Sequence, residues 1–331
     1  MQKRDILSLD LQELLNQPLL AGFRAKQVYS WLHNKKVKSF DDMSNLSLSL
    51  REELSNIFYI ERPEVVKESV SKDWTVKKLL KFKDGQSVEA VYMADNKGRE
   101  TICVSTQSGC AMGCLFCATG GLGFERNLTT GEILSQIYAG GEPDNIVFMG
   151  MGEPFLNYDN VIKAVKILNS ENGSNIGARK MTISTCGIIE GIERLAKEEI
   201  QVRLAISVNS AIQKKREALM PIAKKVSLDE LKSALISYQA QTGRRITFEY
   251  VLIRDKNDSE EDLFALADYS KGLSVNVNII PMNSFSKELL APYPNVVDHF
   301  ISSLKDRGIE AVKRISRGGD IMAACGQLAR D

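Results

Sequence analysis

The sequence predicts an α/β protein: a partial (β/α)6 barrel of parallel strands, preceded by a small helical accessory domain and a short β connector. Three observations predict it. From residue 101 onward, short apolar runs alternate with longer helical stretches, the rhythm of strand–helix units. Before residue 60 the apolar residues keep helical spacing instead. The distinctive motifs fall just after the apolar runs, where parallel α/β folds expose reactive groups. A chain of 331 residues, 44% hydrophobic and 26% charged, is globular in composition and long enough for one large domain and a smaller one.

Residues 1–60 read as short helices. Over 25–34, Val28, Trp31 and Leu32 share one face. Ser49-Leu50-Arg51-Glu52 reads as a capping box that opens a helix carrying Leu54, Ile57 and Phe58. Residues 75–82 and 87–93 read as strands joined by an Asp84-Gly85 turn, within a connector spanning 61–100. The remaining strand candidates are 101–105, 145–149, 181–185, 203–208, 245–252 and 275–280. Thr129–Glu132 and Ser227–Glu230 carry capping-box spacing at helix starts between them. The expected division is therefore 1–60, 61–100 and 101–331.

With 43 Lys and Arg against 42 Asp and Glu, bulk charge does not by itself make a nucleic-acid binder; basic residues would have to cluster locally. Only two histidines, His33 and His299, leave little room for His-rich zinc sites or Ser-His-Asp catalysis. No apolar run reaches the roughly 18 residues of a membrane span. The start, Met1-Gln2-Lys3-Arg4-Asp5-Ile6, has no continuous apolar stretch after its charges, so a cytosolic protein with reduced cysteines is expected.

Four of the six cysteines, Cys103, Cys110, Cys114 and Cys117, lie within 15 residues. The last three form C-x3-C-x2-C on a loop rich in glycine. Three thiolates on one loop suit three irons of a [4Fe-4S] cubane, leaving the fourth iron open to a chelating molecule. Zinc ordinarily takes four ligands, and no fourth with suitable spacing is near.

This triplet resembles the radical SAM signature, named for S-adenosyl-L-methionine (SAM). Six further segments occur in a fixed order around it: Phe23-Arg24-Ala25-Lys26-Gln27-Val28, Val88-Glu89-Ala90-Val91-Tyr92, Gly150-Met151-Gly152-Glu153-Pro154, Ser184-Thr185-Cys186-Gly187, Ser207-Val208-Asn209 and Ala323-Ala324-Cys325-Gly326. Together they resemble the ribosomal and transfer RNA adenine-C2 methyltransferases over about residues 20–330. The resemblance implies a [4Fe-4S] cluster on Cys110, Cys114 and Cys117, and SAM as both methyl donor and radical source. It implies 23S rRNA and tRNA as partners, a flavodoxin-type electron donor, and neither membrane nor obligate protein partner.

Carbon 2 of adenine is not a nucleophile. If its C–H lay ~20 pKa units above an available base, deprotonation would cost about 27 kcal/mol. A carbon radical adds without that step. By resemblance, Cys325 accepts a methyl group from one SAM. A radical from a second SAM then activates it, and it becomes joined to the adenine. Cys103 resolves that link by forming a disulfide with Cys325, and Glu89 accepts the proton. Alone, Cys103 would read as an ordinary small side chain of an apolar strand, and Cys186 reads as packing. The SAM contacts implied are Gly152, Glu153, Ser184, Ser207, Val208, Asn209 and Asn283. The family commonly has Ser-Leu-His where this chain has Ser207-Val208-Asn209, so proton transfer there is not expected. Pro154 favours C2 over the related adenine-C8 methyltransferases; an RNA-binding iron–sulfur module without methyl transfer is the alternative of a different class. Residues 213–225 and the group Lys313, Arg314 and Arg317 are expected to meet RNA phosphates.

Overall fold

The computed structural model describes residues 3–95, 97–285 and 288–330. Ten strands form one sheet whose spatial order is the chain order: β1 Glu64–Val70, β2 Val76–Lys81, β3 Ser87–Ala94, β4 Glu100–Cys103, β5 Asn145–Phe148, β6 Met181–Thr185, β7 Arg203–Ser207, β8 Ile246–Leu252, β9 Val275–Pro281 and β10 Glu310–Lys313. Strands β4 to β10 run parallel, and β1 to β4 pair antiparallel. Among the described residues the ladder ends at β1 and β10 without closing.

The parallel half contains the six expected strands and a seventh, β10, at its edge. The connector's strands extend the same sheet. One of them, β1, went unread because an edge strand exposed along most of its length carries no inside–outside alternation. The helix expected from Ser49 begins at Leu48, with Ser47 as its N-cap accepting from Leu50 N at 3.3 Å, so the capping box at Ser49 is not formed. The boxes at Thr129 and Ser227 are formed as expected.

Helices Thr130–Tyr138, Tyr158–Asn169, Ile189–Ala196, Leu228–Thr242, Glu260–Ser270 and Pro294–Asp306 supply the crossovers. Along β6, Met181, Ile183 and Thr185 are buried while Thr182 and Ser184 are half-buried. That alternation puts the apolar core on one face and leaves polar side chains such as Ser184 on the other, toward the site.

The N-terminal helices dock on Thr130–Tyr138. Ile6 and Leu7 are fully buried, and Gly131 N donates to Ser8 Oγ at 2.9 Å. Three carboxylates, Asp5, Glu61 and Glu132, gather here. Burial, reinforced by Glu132, pushes the Asp5 carboxyl up to about 6. Burial, reinforced by Asp5 and Glu132, pushes Glu61 up to about 7.

Both groups hold protons more tightly folded than unfolded. Their contribution to stability is fully present below their ordinary values near 4, and is lost as pH rises through about 6 and about 7. Glu61→Gln, neutral at every pH, should therefore gain on the parent in thermal unfolding midpoint as pH rises from about 5 to about 8. A constant difference would show that Glu61 does not titrate in this window.

Candidate active site

A cavity opens at the carboxyl ends of the parallel strands, with about 1340 Å³ of empty space, solvent at its mouth included. Its wall takes Val91 and Met93 from β3, Cys103 from β4, Ser184 from β6, Ser207 from β7 and Glu249 from β8. Register explains part of this. Val91 pairs with Cys103 across β3 and β4, and both side chains reach the cavity. The loop of Cys110, Cys114 and Cys117 closes one side, and the returning C-terminal segment with Cys325 closes another.

Backbone bonds at both ends hold the cysteine loop. Cys110 N donates to Gly123 O at 2.7 Å, Leu115 N to Leu219 O at 3.0 Å and Ala118 N to Gly326 O at 2.7 Å. The last bond ties the loop to the tail. Gly326 has φ +84°, and a Cβ there would stand 2.8 Å from Phe116 O, so only glycine lets the tail approach this closely. Among the described residues no three metal-binding side chains converge on one ion. The three thiols instead stand around the cavity wall, which suits a cluster whose irons each take one thiolate better than a single zinc. Burial pushes the Cys110 thiol up to about 11 and the Cys114 thiol higher still, so thiolate ligation there needs a cationic metal centre.

Cys103 and Cys325 face each other electrostatically and remain free thiols. Burial and the neighbouring Cys325 push Cys103 up to about 12, with Arg314 pulling the other way. Burial raises Cys325 too, again opposed by Arg314. Cys325 is open to water through the cavity yet surrounded by protein. Glu249 holds Arg314 at 3.6 Å, and Asn278 donates to the same carboxylate at 3.0 Å.

Glu153, expected to meet the SAM ammonium, lines the cavity and is 4% exposed. Its oxygens accept from Phe155 N at 3.0 Å and Cys186 N at 2.9 Å, and no Lys or Arg pairs with it among the described residues. A buried carboxylate without a counter-cation fits an incoming ammonium. Gly152 lets the turn that carries Glu153 pack on Gln107: its φ is +100°, a Cβ would stand 2.5 Å from Gln107, and Glu153 N donates to Gln107 Oε1 at 2.8 Å. Ser184, Ser207 and Asn209 also line the cavity. Val208 is fully buried behind it, and Asn283 donates to Cys325 O at 3.1 Å.

Glu89 lies on the cavity-facing side of β3, two residues before Val91, but outside the wall itself. Lys77 Nζ sits 2.7 Å from one oxygen. Ala329 N and Arg330 N donate to the other at 2.8 and 3.1 Å.

The basic segments are partly spent inside the protein. Arg314 turns inward to the thiols, whereas Arg317 lines the mouth. Within 213–225, Lys215 pairs with Asp262 at 2.7 Å. Arg216 is fully buried and donates to Cys186 O at 2.7 Å and Val208 O at 3.2 Å. It cross-links the ends of β6 and β7, a role that a lysine- and arginine-rich string does not disclose. Cys186 packs as expected, its sulfur 3.2 Å from Met112 Sδ.

Asn209 explains its own identity. Its φ is +57°, a region that Asn and His tolerate better than most residues. Its Oδ1 accepts from Val251 N at 2.8 Å. Asn209→His keeps an acceptor and is expected to fold normally, whereas Asn209→Leu should lose about 1–3 kcal/mol by orphaning the buried Val251 amide. Denaturant melts of the two variants check this; equal loss would show that shape, not the bond, decides.

Comparison with known proteins agrees with this geometry. Residues 104–267 match the radical SAM superfamily, and residues 5–60 match the ribosomal RNA large subunit methyltransferase N-terminal domain. The probable dual-specificity RNA methyltransferase RlmN of Thermotoga neapolitana is 46% identical, with 98% of this chain and 97% of that protein aligned. The protein of the same name in Clostridium novyi is 44% identical, over 99% and 98%. The crystal structure of a radical SAM methyltransferase from Sphaerobacter thermophilus superposes with a TM-score of 0.95 at 40% identity, over 99% and 100% of the chains. Members of this family use a [4Fe-4S] cluster and SAM, and the cysteine loop and the uncompensated Glu153 carboxylate fit both. With its catalytic fold, its accessory domain and its full length all matched, the chain belongs to the RlmN family of radical SAM RNA methyltransferases.

Proposed function

We propose that the protein methylates C2 of one adenosine in 23S rRNA and of the adenosine 3′ of the tRNA anticodon, through an S-methylcysteine on Cys325. The observation that carries this is one cavity holding Cys325 and Cys103 beside the three-cysteine loop. A binding module would not need Cys103 and Cys325 brought into the cavity that the cysteine loop closes.

Cys110, Cys114 and Cys117 hold the cluster, which supplies one-electron chemistry to SAM when bound. Glu153 pairs with the SAM ammonium, while Ser184, Ser207, Asn209 and the backbone at Gly152 and Val208 orient the rest. Arg314 stabilises the Cys325 thiolate as it attacks the methyl group. Once C2 is joined to the S-methylene carbon, Glu89 would take the C2 proton, with the cluster as the sink for the one electron that the adduct must also lose. The Cys103 thiolate then attacks Cys325 Sγ, so that the Cys103–Cys325 disulfide forms as the sulfur–methylene bond breaks; the released carbon takes a proton to become the C2 methyl group, and the reductant returns the disulfide to two thiols. Because the tail amides and Lys77 hold Glu89, proton transfer requires the tail to loosen around the RNA. Asn283 holds the carbonyl of Cys325 and so orients the accepting sulfur. The 1–60 region serves as the RNA-binding accessory domain, 61–100 as its connector and 101–331 as the catalytic domain. The protein works in the cytosol with a flavodoxin-type reductant.

Anaerobically reconstituted protein is expected to hold one four-iron cluster, and adding SAM should change the EPR spectrum of its reduced form. Stoichiometric zinc, with no iron requirement for activity, overturns the assignment of Cys110, Cys114 and Cys117.

Cys325 and Cys103 should fail in opposite ways. Cys325→Ala never carries a methyl group, because the accepting sulfur is gone. Cys103→Ala still forms the link to adenine but cannot resolve it, so RNA accumulates on Cys325 as a denaturation-resistant, nuclease-sensitive mass shift. Parent-like rRNA methylation by Cys103→Ala, with no attached RNA, would show that Cys103 is not the resolving thiol. Mass spectrometry of rRNA and tRNA from cells with and without the protein tests the modified position.

A further inference from the structure

We propose that Trp74 is a stacking platform for a base of the substrate RNA beside the adenosine that enters the cavity; this rests on the RNA methyltransferase reading above. Trp74 stands in the turn between β1 and β2 with 79% of its surface exposed, more than any other large hydrophobic side chain among the described residues. An indole is a large apolar body that usually finds cover or a partner. This one also has φ +65°, a backbone region that bulky side chains rarely adopt. Such a conformation persists only where its surroundings enforce it, and it is concentrated at functional positions.

The surroundings are unusually restrictive for a surface turn. Ser71 N donates to Thr75 O at 2.8 Å, and Trp74 N donates to Ser71 O at 3.0 Å. Asp73 accepts from Thr75 N and from Gly318 N, both at 3.0 Å. Asp320 accepts from Ser71 Oγ at 2.5 Å and Lys72 N at 3.2 Å. The turn is thus bolted on two sides to Gly318 and Asp320. These two lie between the stretches 314–317 and 323–326, both of which line the cavity. The turn that carries the indole is thereby fixed to the segment that joins two cavity-lining stretches, and the exposure of Trp74 is not the looseness of a free loop.

The neighbourhood sets cations beside exposed apolar side chains such as Ile315 and Val70, a mixture that suits phosphate and base together. Lys72 and Lys313 are exposed, and Arg317 lines the mouth. Bringing an adenosine into the cavity strips it from its stacked neighbours. An aromatic face at the mouth replaces one lost stacking partner while nearby cations hold phosphates. Every base has a π-face, so this contact tolerates different sequences, as an enzyme with two RNA substrates needs.

The chain contains two tryptophans, Trp31 and Trp74, so Trp31→Phe makes the fluorescence report Trp74 alone. Titration with an unmodified tRNA transcript, or with a 23S rRNA hairpin carrying the target adenosine, is expected to quench that signal in parallel with binding. Trp74→Ala should weaken RNA binding roughly tenfold, and Trp74→Phe should restore most of it. Iron content and melting temperature of Trp74→Ala report whether it folds. If the Trp31→Phe protein binds RNA without quenching, and Trp74→Ala binds as tightly, the platform is overturned while the enzyme reading stands. If the parent binds neither RNA, both readings fall.

Discussion

The site depends on a buried ion pair that anchors the C-terminal segment. Glu89 and Lys77, from neighbouring strands, are 0% and 5% exposed in their side chains, and Glu89 spends its second oxygen on the amides of Ala329 and Arg330. Cys325 sits four residues upstream of that anchor. Three further bonds locate the segment: Thr119 Oγ1 to Leu328 O at 2.6 Å, Ala118 N to Gly326 O at 2.7 Å and Asn283 to Cys325 O at 3.1 Å. The first two join the tail to the turn just after Cys117, and the third joins it to the loop that follows β9. Removing one partner of a buried ion pair typically costs about 3–5 kcal/mol. Here it would also free a chain end whose ordering is entropically expensive. The placement of the Cys325 sulfur is thus inherited from a carboxylate on β3.

The cavity's electrostatics follow from the same burial. Burial disfavours the thiolate of Cys103, pushed up to about 12, and of Cys325. A thiol held neutral is a poor nucleophile and a poor target for oxidation, which protects two sulfurs that line one cavity. Arg314 is the local counterweight, and Glu249 keeps its guanidinium aimed inward. Behind the wall, Arg216 spends its donors on strand-end carbonyls and fixes the segments around Cys186 and Val208. Charge in this molecule is used more for placement than for a basic surface, in keeping with a net charge of only +1.

Much of this was legible in one dimension because it is local. Six of the seven parallel strands announce themselves as apolar runs between turn residues. Thr129 and Ser227 cap helices through atoms three residues away. Cys110, Cys114 and Cys117 lie on a single loop, so their spacing alone implies a shared ligand. The misreadings have physical causes as well. Ser47 and Ser49 both have an oxygen suited to capping Leu48–Ile57, and the chain's path into the helix decides between them. Strand β1 is exposed on both faces, which removes the pattern by which strands are read.

What the sequence determined by itself was the kit of parts: strand and helix segments, the cysteine loop, and the ordered motifs that identify the family. The tertiary structure alone decided which charges meet. Arg314 faces the thiols, Arg216 vanishes behind the site, and Glu89 grips amides 240 and 241 residues further along the chain. The reason is range. Spacing reports neighbours within a turn or a loop, whereas a buried charge is satisfied by whatever the folded sheet brings alongside, and that partner leaves no trace in the residues next to it.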